Sequence, residues 1–145
     1  MAELKLKDTS LSEDAVESKA VLTADEKRER FMKKKRKVVT HTIDIGGEPT
    51  DIVIVGLGDK VLNKLQEEHP VRKNNTKDRV LGQNSETFPP ALFTLSVSDP
   101  DLTEDEWSEI WNNNEEWSAG ELGHLFDLVL GVSTRGFDVS FTESG

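Results

Sequence analysis

The sequence predicts a small α+β domain, mainly helical, with one β-hairpin and a C-terminal αα-hairpin. Three observations lead there. Two β-branched runs, VVTHTIDI and TDIVIVG, flank the turn residues Gly46-Gly47-Glu48-Pro49. The helix-starting pattern Thr/Ser-x-x-Glu occurs at Thr23, Thr103 and Ser118. A chain of 145 residues, 34% apolar and 32% charged, fits one domain with a modest core, or a smaller domain plus an arm.

Residues 1–22 carry Ser, Asp, Glu and Lys with few apolar residues and read as a flexible polar arm; 23–145 reads as a single domain. In LTADEKRERFMKKKRK, Thr23 and Glu26 form a capping box, Asp25 and Glu26 sit at the positive end of the helix dipole, and Glu29 precedes Lys33 by one turn. The five cations Lys33, Lys34, Lys35, Arg36 and Lys37 then occupy the place where a helix end attracts positive charge. The string Met-Lys-Lys-Lys-Arg-Lys-Val also resembles a viral nuclear-localisation signal, and such a run can form a basic contact patch. The helix-end reading is preferred, because it follows from the local electrostatics alone.

Beyond it, Val39, His41, Ile43 and Ile45 alternate with Thr40, Thr42 and Asp44, and Ile52 and Ile54 with Val53 and Val55. Alternation around a Gly-rich turn predicts a hairpin, whose apolar face needs helices against it. GLGDKVLNKLQEEH predicts a helix burying Leu57, Val61, Leu62 and Leu65, ended by Pro70. Residues 71–87 are polar and read as a loop. FPPALFTLSVSDP fits a helix through Phe88, Ala91, Leu92 and Leu95, or a strand through Phe93, Leu95 and Val97; the helix is preferred.

The C-terminal third repeats one pattern. Leu102, Thr103, Glu106 and Trp107 fill the N′, N-cap, N3 and N4 roles of a capping box with hydrophobic staple; Trp117, Ser118, Glu121 and Leu122 fill them again. Apolar spacing continues through Ile110 and Trp111 in the first helix, and through Leu125, Phe126, Val129 and Leu130 in the second. Asn112 to Glu116 joins them.

Chemistry is harder to find. Without cysteine there is no disulfide, thiolate metal site or thiol nucleophile, which fits a reducing cytosol. IVIVGLGDKV resembles the start of a dinucleotide fold, but Val61 stands where its third glycine belongs. DPDLTEDEWSEI resembles a calcium loop, but Glu104 replaces its central glycine and Ile110 its bidentate glutamate. His41, His69 and His124 fall in unlike elements and share no ligand spacing. No catalytic residue, cofactor or metal is therefore expected. No run reaches the roughly 18 apolar residues of a membrane span. Residues 1–37 carry a net +3 and residues 99–145 a net −11. The acidic end should repel phosphate backbones, and the polarity offers a route for copies to associate head to tail.

The segment FPPALFTLSVSDPDLTEDEWSEIWNNNEEWSAGELGHLFDLVLGVST, Phe88 to Thr134, resembles the tail assembly chaperones of long-tailed bacteriophages, especially those of actinobacteria. The carrying features are the Pro-plus-apolar stretch, Asp-Pro leading into Leu-Thr-Glu-x-Glu-Trp, and the second capped helix ending near Val-Ser-Thr. A polar arm and hairpin ahead of this core are similar too; the Lys-rich run and residues 71–87 match no part of the pattern. The resemblance implies a non-enzymatic protein that binds the tape measure protein and recruits tail tube subunits in the cytoplasm of the infected host, and that is absent from the mature virion. From the apolar spacing, Trp107, Ile110, Trp111, Trp117, Leu122, Phe126 and Val129 are the expected core and protein-binding face, and the charge of Lys33 to Lys37 makes that run an expected contact patch toward a neighbouring copy. The alternatives are a structural head–tail or tail-terminus component and a small nucleic-acid-binding regulator.

Overall fold

The computed structural model describes residues 21–137. The chain divides into two compact units, Met1–Lys35 and Arg36–Gly145. The boundary falls inside the basic run. The expected arm lies almost wholly outside the described residues.

The described part of the first unit centres on helix α1 (Ala24–Met32), which opens with the predicted capping box: Thr23 Oγ1 accepts the Glu26 N–H at 3.1 Å, and Glu26 accepts the Thr23 N–H at 2.9 Å. These bonds to the charged form hold the Glu26 carboxyl below its ordinary value. Lys33 caps the helix and pairs with Glu29 at 2.8 Å. Lys34 to Lys37 lie beyond the helix, so only the first of the five cations sits where the dipole argument placed the run. An extended connection toward the next strand takes the rest.

The second unit is an α+β fold. Strand β1 (Val38–Ile45) pairs antiparallel with β2 (Glu48–Val55) through a two-residue turn at Gly46 and Gly47, both at positive φ. That turn is tighter than the four residues expected, because two glycines alone supply the left-handed conformations of a primed turn. Glu48 and Pro49 therefore belong to β2. Pro49 opposes Asp44, one pair beyond the turn-closing pair, where an antiparallel ladder needs no N–H directed at the partner. Val39, His41 and Ile43 are half-buried and Ile52 and Ile54 are buried, so the predicted face packs inward except at Ile45 beside the turn, which is exposed.

Helix α2 (Asp59–Glu68) buries Leu62 and Leu65 but turns Val61 outward. Gly56 and Leu57, just before it, are pressed onto the far end of the last helix. A Cβ at Gly56 would stand 3.1 Å from the Val132 carbonyl, and the Leu57 N–H donates to Ser133 Oγ at 2.8 Å. This close approach accounts for the first glycine, Gly56; a Cβ at Gly58 would meet nothing within 4 Å.

Residues 71–87, expected to be a loop, contain helix α3 (Thr76–Leu81), capped by Asn75 and ended by Gly82 at positive φ. The segment is organised around Asp78, which is 0% exposed. Its carboxylate accepts bonds from Arg72 N, Nε and Nη2 at 2.9, 2.8 and 3.0 Å, and from Ser85 N and Oγ at 2.9 and 2.7 Å. Arg72 also pairs with Glu86 at 2.7 Å. Five donors converging on one carboxylate satisfy a charge that burial would otherwise expel.

Helix α4 (Phe88–Ser96) is the centre of the unit, with Phe88, Ala91, Leu92 and Phe93 all buried. It continues directly into β3 (Val97–Asp99), which pairs with β2, giving the sheet order β1-β2-β3. The ambiguous segment thus holds both elements, helix first and strand after, and Leu95 points outward instead of joining the core. Helix α5 (Glu104–Ser108), the π-helical turn Glu109–Asn113 and helix α6 (Ala119–Thr134) complete the chain. Both predicted capping boxes are present, at Thr103–Glu106 and Ser118–Glu121. Helices α5 and α6 both pack on α4.

Candidate functional site

The seven C-terminal residues expected to form a binding face divide by burial. Trp107, Phe126 and Val129 are core: Trp107 is 3% exposed, and none of the three is available to a partner. Phe93 is the hub, with ring centroids 5.0 Å from Trp107, 5.8 Å from Trp111 and 6.4 Å from Phe126; Trp111 lies 5.9 Å from Phe126. Edge and tilted contacts of this kind add to the area buried. Ile110 and Trp111 are half-buried against the same core. The Trp111 Nε1–H donates to the Ser85 carbonyl at 2.9 Å, fastening the π-helical turn to the Asp78 segment, whereas the buried Trp107 Nε1–H has no partner.

Trp117 and Leu122, the staple pair of α6, remain half-buried. Trp117 opens onto a cleft. This cleft, about 320 Å³, lies between the turn end of β1 and one flank of α6 and is lined by Thr42, Ile43, Asp44, Trp117, Glu121, His124, Leu125 and Leu128. Of this set only Trp117 belongs to the binding face expected from the sequence. A signal was present: 121, 124, 125 and 128 share one stripe of α6, with Trp117 just ahead of its N-cap, but the polar members hid it among ordinary surface positions.

The cleft has both apolar and acidic lining. Ile43, Trp117, Leu125 and Leu128 supply the apolar part, Asp44 and Glu121 the charge. Glu121 accepts the Ser118 N–H through Oε1 at 2.8 Å, so its position is fixed by the cap while its second oxygen can accept further bonds. Such a surface binds a side chain that is apolar along its stem and cationic at its tip, or an apolar residue followed by Lys or Arg. The basic run stands apart from it in sequence, and Lys33 to Lys37 are all exposed.

Among the described residues no three His, Cys, Asp or Glu are grouped to hold a metal ion. No helix among them is long and apolar enough to cross a membrane. The ionisable group most displaced from its ordinary value is the Asp78 carboxyl, held far below the carboxylate range by the Arg72 guanidinium and the Ser85 donors against the opposing effect of burial. It is enclosed and fully bonded, which marks it as structural. Comparison with protein-family models, curated proteins and solved structures found no match.

Proposed function

We propose that the chain is a non-enzymatic tail assembly chaperone, which binds the tape measure protein of a long-tailed phage and helps recruit tail tube subunits. The observation that carries the reading is the cleft between β1 and α6, lined by an indole, aliphatic side chains and two carboxylates. Such a surface takes one face of an amphipathic helix reversibly, which is what a holder of long helical clients requires. It lies partly on α6, within the segment from Phe88 to Thr134 that resembles these chaperones. That segment supplies α4, β3, α5 and α6, and so most of the core.

The test is co-expression with the tape measure protein of a long-tailed phage as the client. With the chain present, the client stays soluble and co-purifies; with Trp117→Asp, it does not. Mass spectrometry of purified virions gives the second arm, in which this polypeptide is absent. Its presence in stoichiometric amount would replace the proposal with a structural head–tail or tail-terminus role.

A further inference from the structure

Helix α1 has nine residues, and none is buried. A helix this short is marginal by itself, since isolated helices need about 12–15 residues. It nevertheless ends in two large apolar side chains that meet solvent, Phe31 at 81% and Met32 at 71% exposure. Directly after them come Lys33, Lys34, Lys35, Arg36 and Lys37. An exposed apolar pair followed by a block of cations is half of an interface. Its complement is the β1–α6 cleft, where the apolar side chains adjoin Asp44 and Glu121, in a chain whose residues 99–137 carry a net −9.

We infer that the cleft of one copy receives the α1 end of a second copy, with Phe31 and Met32 against Trp117 and Leu128 and the lysines toward Asp44 and Glu121. The chemistry matches on both counts. Apolar area leaves water on each side, and the cations approach a surface whose charge attracts them over about a Debye length, roughly 8 Å at physiological salt. The two patches differ, so the contact is heterologous: each copy offers a donor end and an acceptor cleft. Repetition gives rings if the rotation closes and open chains if it does not. The inference uses the cleft but no client, and its assay contains this chain alone, so the client experiment and this one can fail separately.

The experiment is sedimentation velocity of the full chain over a range of concentrations at low and high salt. The wild type should associate with concentration and dissociate as salt rises. A cleft variant, Asp44→Lys/Glu121→Gln/His124→Lys, keeps the Ser118 capping box because Gln serves at N3. A run variant, Lys34→Glu/Lys35→Glu/Arg36→Glu, leaves the Lys33–Glu29 pair intact. Each alone should associate at least about tenfold more weakly, a change of about 1.4 kcal/mol. Mixing the two should restore association, since the basic run of one now meets the acidic cleft of the other, and the reversed run meets the reversed cleft. Phe31→Ser, at a position that buries nothing, should also weaken it. A monomer at every concentration overturns the inference, whether α1 hangs in solvent or folds onto its own chain. Association of unchanged strength in both charge variants overturns it too, as pairing along the open edge of β1 would give.

Discussion

Of the two tryptophans around Phe93, the more deeply buried one should matter less when its nitrogen is removed. Trp107 is nearly sealed, and its Nε1–H has no partner; Trp111 is half-buried, and its Nε1–H donates to Ser85 at 2.9 Å. Replacing indole by phenyl removes about three buried carbon-sized atoms, about 2 kcal/mol for a closed site such as Trp107 and about half that for Trp111. At Trp107 the change also removes an unsatisfied donor whose desolvation costs about 1–3 kcal/mol, so the net effect of Trp107→Phe is within about 1 kcal/mol of zero. At Trp111 the change loses a hydrogen bond worth about 1 kcal/mol, so Trp111→Phe costs about 2 kcal/mol in total. Urea denaturation followed by far-ultraviolet circular dichroism, with the slope checked for constancy, measures both. If Trp107→Phe proves the more destabilising, the buried N–H is satisfied after all and the reasoning fails.

Other outcomes follow from the same geometry. Because Arg72 and Ser85 hold the Asp78 carboxyl below its unfolded value, its contribution to stability is fully present above the ordinary carboxylate range and is lost as pH falls below it. Asp78→Asn should therefore lower the thermal midpoint at pH 7 and flatten its decline between about pH 4 and pH 2; an unchanged acid slope would refute the role. Gly56→Ala should cost about 1–3 kcal/mol by urea titration, since the new methyl meets the Val132 carbonyl, while Gly58→Ala, with nothing within 4 Å, should stay within about 1 kcal/mol. Ser118→Ala should cost about 1 kcal/mol, and Glu121→Gln much less; equal losses would show that charge, not the reciprocal bonds, holds that terminus.

What was legible in the sequence was local chemistry. The three capping boxes need only residues three apart, and all three are present at the positions expected. The hairpin was legible because Gly46-Gly47 permits few alternatives, and its inward face because alternation fixes it. Helix α3 was not, although Asn75 at its start and Gly82 at its end were visible signals. Its buried side is a carboxylate, and its apolar Val80 is 85% exposed, so hydropathy periodicity runs opposite to burial there. The Arg72–Asp78–Ser85 arrangement rests on side-chain bonds that no hydropathy pattern records. At the candidate site, spacing marked Trp107, Trp111 and Trp117 alike. Only packing on α4 separates them, and β1, distant in sequence, supplies the other wall of the cleft.

That separation gives the protein a built-in optical probe. Trp107 is sealed from quenchers, Trp111 is tied to a carbonyl, and Trp117 faces the opening. Iodide or acrylamide should extinguish chiefly the emission of Trp117, and any occupant that covers it should shift that emission to the blue. An unlabelled sample thus reports which wall is touched, with the other two indoles serving as an internal reference for the intact core.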